Sequence, residues 1–228
     1  MSSITANLQA VRERIESAAR AAGRPAQSVR LVAVSKTFAS AAVREAEQAG
    51  QRDFGENYVT EGVDKIDELR SLGLTWHYIG PIQSNKTRSI AGYFDWVHSL
   101  DRAKIAARLS EARRPGQAEL QVCIQVNVSG EATKSGVAPG DLATLATQVA
   151  MLPRLKLRGL MAIPEPTPDE KLQRARFAQL HELRERLNRE GFSMDTLSMG
   201  MSADLEAAIA EGATMVRVGT AIFGERRS

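Results

Sequence analysis

The chain is poor in the features that mark several large function classes. Its 228 residues hold a single cysteine, Cys123, which excludes an internal disulfide. Its setting in the apolar run LQVCIQV reads as a small core residue rather than a reactive thiol. The three histidines, His77, His98 and His181, have no metal-ligand spacing, which argues against a metal centre. No apolar run approaches the roughly 18 residues needed to span a bilayer, and the N-terminal segment lacks the apolar centre of a signal peptide, so a cytoplasmic location is expected. There is no Gly-rich dinucleotide fingerprint, no Walker loop and no Gly-x-Ser-x-Gly elbow, which removes the commonest nucleotide and hydrolase readings. Charge of one sign is scarce too: 30 basic against 27 acidic residues leave a net +3, which argues for no nucleic-acid or membrane partner. The clusters Arg113–Arg114 and Arg184–Arg186 read as solvated helix faces.

What the sequence does contain is alternation. Apolar runs at Leu31–Ser35, Asp53–Asn57, Trp76–Gly80, Trp96–Ser99, Leu120–Val128, Leu157–Ile163, Thr196–Met199 and Met215–Val218 read as buried strands. Between them lie segments of helical period, the pattern of a parallel sheet covered by helices. One further helix, with Leu8, Val11, Ile15, Ala18 and Ala22 on a stripe, precedes every strand. Ser40, Asp101 and Asp141 stand where N-caps belong, and Gly191 closes a long stripe through Leu172, Leu180, Leu183 and Leu187. The Pro164–Pro168 stretch reads as a stiff loop. With 43% apolar and 25% charged residues, the chain reads as one globular domain over residues 1–228. Its length is close to the roughly 250 residues of a (β/α)8 barrel. The expected architecture is therefore a single TIM-type α/β barrel with an extra N-terminal helix, favoured over an open doubly wound sheet.

In such barrels chemistry gathers where the strands end. The first strand runs into Lys36. A lysine there reaches for solvent or, held at a dry mouth, loses its proton readily and becomes a nucleophile toward an aldehyde. In the last strand, period-two alternation separates Arg217 from Val216 and Val218 and turns it into the barrel, where a buried guanidinium needs a partner such as an acid. Gly219 and Thr220 follow, offering N–H groups and a hydroxyl suited to a phosphate. Ser202, after the seventh strand, reads as the N-cap of a helix beginning at Ala203, whose free N–H groups face the same mouth. Asn57, after the second strand, either caps the next helix or meets a ligand's polar edge.

Several segments carry a resemblance. Ala33–Thr37 (AVSKT), Phe54–Tyr58 (FGENY), Trp76–Lys86 (WHYIGPIQSNK), Gly159–Met161, Leu197–Ser202 (LSMGMS) and Val216–Gly224 (VRVGTAIFG) closely resemble the pyridoxal-phosphate homeostasis proteins, in order along nearly the whole chain. The resemblance implies a barrel of the alanine-racemase type without the β-rich second domain of those racemases. It implies pyridoxal 5′-phosphate (PLP) as cofactor, held as a Schiff base on Lys36, with Ser202, Gly219 and Thr220 on the phosphate, Asn57 lining the ring and Arg217 facing the pyridine nitrogen. It also implies a role for Lys134 in handling PLP, whereas the tail Gly224–Ser228 lacks the lysines of other members. The expected function is a PLP carrier in cofactor homeostasis and amino-acid balance, acting as a monomer that meets apo-PLP enzymes transiently and catalyses nothing itself. An amino-acid racemase is the alternative, with the chain's length against it, and a lysine Schiff-base aldolase on sugar phosphates is a third reading.

Overall fold

The eight apolar runs become eight strands, all parallel, paired in sequence order and closed into a barrel. The computed structural model describes residues 3–130 and 135–225, so Lys134 and the last three residues lie outside the described residues. The strands are β1 (Arg30–Val34), β2 (Asp53–Glu56), β3 (Thr75–Tyr78), β4 (Trp96–Leu100), β5 (Leu120–Gln125), β6 (Leu155–Met161), β7 (Thr196–Ser198) and β8 (Met215–Val218). Closure is set by the seam between the last strand and the first, where Leu31 lies beside Val216 and Val32 beside Arg217.

Alternation along each strand separates two apolar environments. Leu31, Ala33, Val216 and Val218 face outward into the large core beneath the helices. Val32, Trp96, Cys123, Met161 and Met215 form a smaller cluster inside the barrel. Cys123 is fully buried there, and burial pushes its thiol up to about 12, the inert core residue expected.

The helices are α1 (Ile4–Ala21), α2 (Ser40–Gln48), α3 (Val59–Glu68), α4 (Thr87–Tyr93), α5 (Ala103–Ala112), α6 (Leu142–Ala150), α7 (Glu170–Arg189), α8 (Leu205–Ala210) and α9 (Thr220–Phe223). Since α9 is a single turn, it cannot cover the seam between β8 and β1. The extra helix does so: α1 buries Leu8, Val11, Ile15 and Ala19, the three larger side chains each contributing about 1.5–3 kcal/mol by removing apolar surface from water. It is tied to α2 by Arg12 on the Ala49 carbonyl (2.8 Å) and to α9 by Asn7 on the Ile222 carbonyl (2.9 Å).

Some local expectations fail. Ser40 is the first residue of α2, capped by Ala39, and its hydroxyl donates instead to Glu68 across to α3 (2.6 Å). Asp101 pairs with Arg102, and Arg102 holds the cap position of α5. Asp141 does stand at the N-cap of α6 as expected, but its side chain makes no capping bond. Arg113 is buried rather than solvated: its guanidinium reaches three carbonyls, those of Ala118, Ala91 and Phe94, and closes the base of α5 onto the strand connections around it. Among the described residues no helix is long and apolar enough to cross a membrane.

Candidate functional site

The residues singled out from the sequence lie on four consecutive strand ends: Ser202 after β7, Arg217, Gly219 and Thr220 at the end of β8, Lys36 after β1 and Asn57 after β2. Residues almost two hundred positions apart in the chain thus share one arc of the barrel mouth. Gly219 packs against the end of β1; a Cβ on it would stand 3.2 Å from the Val34 carbonyl oxygen, so any side chain would crowd the approach to Lys36 two residues on.

Lys36 is half-buried, and the segment around it is fixed on both sides. The Ser35 carbonyl accepts from Lys65 Nζ (2.7 Å) and the Thr37 N–H donates to Glu61 Oε1 (2.6 Å). Thr37 has φ of 68°, a left-handed conformation that a β-branched residue adopts only when its surroundings impose it. Those surroundings are a buried ionic cluster between β1, β2 and α3. Lys65 Nζ also donates to Glu56 Oε1 (2.8 Å) and Glu61 Oε1 (2.6 Å), and the Ser35 hydroxyl donates to Glu56 (2.6 Å). Burial raises the Glu56 carboxyl above its ordinary value, opposed by the charge of Lys65.

Arg217 points into the barrel as the alternation requires, but its partners are not the acid expected. Its Nη1 donates to the Ser198 hydroxyl (2.6 Å) and its Nη2 to the Ala162 carbonyl (3.0 Å). Burial pulls the guanidinium down to about 10, still far enough above neutrality for the charge to persist. The Arg217 N–H holds the Gly200 carbonyl (2.9 Å) and so draws the β7–α8 loop over the mouth. Gly200 is required in that loop: its φ is +94° and a Cβ would lie 2.6 Å from that of Ala208.

Ser202 is not the N-cap expected. Asp204 takes that position, with Oδ1 accepting from the Met201 N–H (2.6 Å), so α8 starts two residues later and Ser202 sits half-buried in the preceding turn. The Ser202 carbonyl accepts from Arg14 of α1 (3.1 Å), itself paired with Glu206. Asn57 does not cap α3 either; Tyr58 occupies that position without a side-chain capping bond. The Asn57 backbone is held by close contact with Gly80, where a Cβ would fall 2.1 Å from the Asn57 carbonyl oxygen. Beside it opens a cavity of about 310 Å³ lined also by Tyr58, Tyr78, Gln83 and Lys86. Thr220 opens α9 and is exposed.

Three neighbours of the candidate site escape sequence reading. Ser198, Glu56 and Lys65 each lie inside an apolar strand or a helical stripe, and period-two counting of β7 would have turned Ser198 inward alongside Arg217.

The arrangement can be set beside known proteins. Residues 6–227 match the family described as alanine racemase, N-terminal domain. A pyridoxal phosphate homeostasis protein of Pseudomonas aeruginosa is 62% identical over 99% of this chain and 97% of its own. That of Escherichia coli K12 is 51% identical over 99% and 98%. Among solved structures, PipY of Synechococcus elongatus with PLP bound is 39% identical, with TM-score 0.86, over 97% of this chain and all of that one. Alanine racemase from Corynebacterium glutamicum, 16% identical with TM-score 0.68, matches over 96% of this chain and 61% of its own; that likeness concerns the fold alone.

Proposed function

The chain belongs to the alanine racemase N-terminal domain family and, within it, to the pyridoxal phosphate homeostasis proteins; from that premise we propose that it binds PLP at the mouth formed by β7, β8, β1 and β2 and acts as a carrier of the cofactor. In this reading residues 1–228 work as one domain, as a cytoplasmic monomer that meets apo-PLP enzymes only in passing. The observation that carries it is the convergence of an amine, a phosphate-type donor set and a buried cation on adjacent strand ends.

The donor set suits the cofactor. PLP supplies an aldehyde that condenses reversibly with an amine, and Lys36 is the amine at this mouth. Ser202 and Thr220 bring hydroxyls, Gly219 leaves room for close approach, and the first turn of α9 carries N–H groups that lack partners within the helix, a combination suited to a phosphate. Asn57 would line the ring. Arg217 would meet the ring nitrogen. With a hydroxyl and a carbonyl as its hydrogen-bond partners, its charge is not neutralised by an ion pair and disfavours a proton on that nitrogen. A ring kept unprotonated is a weak electron sink, which supports holding the cofactor over transforming a substrate with it.

The test is reductive trapping. Borohydride treatment of the PLP-loaded protein, followed by peptide mapping, is expected to place the adduct on Lys36, and Lys36→Ala is expected to abolish it. Ser202→Ala and Thr220→Val should each weaken PLP retention by about 1.5–3 kcal/mol, the scale of a hydrogen bond to a charged acceptor. An adduct on Lys86 or Lys134 with Lys36 unmodified would sink the assignment.

A further inference from the structure

Arg217 is held from beneath by a row of side chains that crosses the barrel interior. Asp53 Oδ1 lies 2.9 Å from His77 Nε2, His77 Nδ1 lies 2.9 Å from His98 Nε2, and His98 Nδ1 lies 2.7 Å from the Ser198 hydroxyl that accepts from Arg217. His77, His98 and Ser198 are fully buried. Asp53, the first residue of β2, sits at the opposite mouth, where it lines a cavity of about 360 Å³ with Arg12, Arg30 and Gln51; Arg30 stands 3.7 Å from its carboxylate.

The two ends fix the direction of every bond between them. A guanidinium only donates, so the Ser198 oxygen accepts from Arg217 and its one hydrogen is left for His98 Nδ1. A carboxylate only accepts, so His77 Nε2 carries the hydrogen that faces Asp53. His77 Nδ1 is then an acceptor, and His98 Nε2 donates to it. The reverse order would set the lone pair of His77 against the Asp53 carboxylate and strand the Ser198 hydrogen.

We propose that Asp53, His77, His98 and Ser198 are positioning residues for Arg217: a one-way hydrogen-bond relay, with both imidazoles in the Nε2–H form, that locks the guanidinium and makes its placement at one mouth of the barrel depend on an acid at the other. The relay needs neutral imidazoles. Burial lowers both, His98 the more strongly because His77 and Arg217 stand beside it, while Asp53 and Asp95 pull His77 up and Arg30 pulls it down. The consequence for PLP rests on the function proposed above; the relay itself does not.

Nitrogen-15 NMR of the apo-protein tests the relay without cofactor. Both imidazoles are expected to show a protonated Nε2 and a bare Nδ1, and an Nδ1–H form in either overturns the proposal. Next, the Arg217 guanidinium resonances are expected to show slow rotation in the parent and to shift and broaden in Ser198→Ala and, less, in Asp53→Ala, with Ser198→Thr restoring them. Resonances unchanged in both folded alanine variants would also overturn it; if a variant does not fold, the tautomers of the parent still decide. In loaded protein, Ser198→Ala should weaken PLP binding about tenfold, the scale of one lost hydrogen bond to a charged group, and Asp53→Ala should do so less. A parent that takes no PLP on Lys36 would remove the cofactor reading and leave the NMR result standing.

Discussion

Two buried cations lie on opposite sides of β1 and β2, and they are satisfied in opposite ways. Lys65, outside the barrel, meets two carboxylates and a carbonyl. Arg217, inside it, meets a hydroxyl and a carbonyl, followed by the neutral imidazole of His98. In the first case the charge is consumed locally and its product is geometry: the Ser35 carbonyl and the Thr37 N–H on either side of Lys36 are both tied to the cluster. In the second the geometry comes from uncharged groups, so the positive charge stays available to the mouth. The barrel thus fixes an amine with ions and presents a cation with neutral acceptors.

Lys65→Met should cost the most stability. Removing the ammonium leaves Glu56, fully buried and already with one carboxylate oxygen lacking a hydrogen-bond partner, beside Glu61 with no cation between them. Stripping one partner from a buried ion pair costs about 3–5 kcal/mol, to be read as a lower urea midpoint. Adding Glu56→Gln to that variant should recover part of the loss. A change under about 1 kcal/mol would mean that the cluster is solvated in solution and does not hold the Lys36 segment.

Arg217→Met should act far more gently. It uncovers two neutral acceptors and removes the desolvation cost of the guanidinium, so the expected loss is about 1–2 kcal/mol. Its main consequence should be weaker retention of PLP. A loss as large as that of Lys65→Met would show that an acid, with Asp204 the nearest candidate by its electrostatic coupling, pairs with Arg217 in solution.

The legibility of these two regions differed for a physical reason. Strand content was readable because parallel strands buried on both faces appear as apolar runs, and β8 falls at the residues anticipated, Met215–Val218. The order of the strands then places Lys36, Asn57, Ser202, Arg217, Gly219 and Thr220 on one arc. Helix starts were less readable, since Ser, Asp and Asn serve equally as caps and as loop residues: Ser202 lost its cap to Asp204, and Ser40 serves Glu68 instead. The ionic cluster was hidden because a lysine on a helical stripe resembles a solvated one. The relay was hidden because its members lie on β2, β3, β4, β7 and β8, and two histidines without metal-ligand spacing do not announce that one donates to the other.

At the rim, water still reaches an ion pair, and a gentler loss is expected there. Glu165, in the proline-rich loop after β6, accepts from Arg176 Nε (3.0 Å) and Nη2 (2.8 Å) and from the Ser129 hydroxyl. The Arg176 hydrogen bonds, then that of Ser129, hold its carboxyl down at about 2, against an ordinary 4.5. A carboxylate with a depressed folded pKa binds its proton more readily in the unfolded chain. Its stabilising contribution is therefore complete above the unfolded value and disappears as pH falls from about 4.5 toward 2. Both side chains are partly exposed, 28% for Arg176 and 19% for Glu165, so screening limits the contribution to about 1 kcal/mol. Glu165→Gln cannot titrate there. The stability difference between parent and variant, taken from urea unfolding at about pH 6 and about pH 3, should shrink by the larger part of that amount, because the titrations of all other groups cancel between the two proteins. A difference that stays constant over this range would show that Glu165 is unpaired in solution. A shrinkage of several kcal/mol would place this rim pair on the same footing as the buried cluster around Lys65.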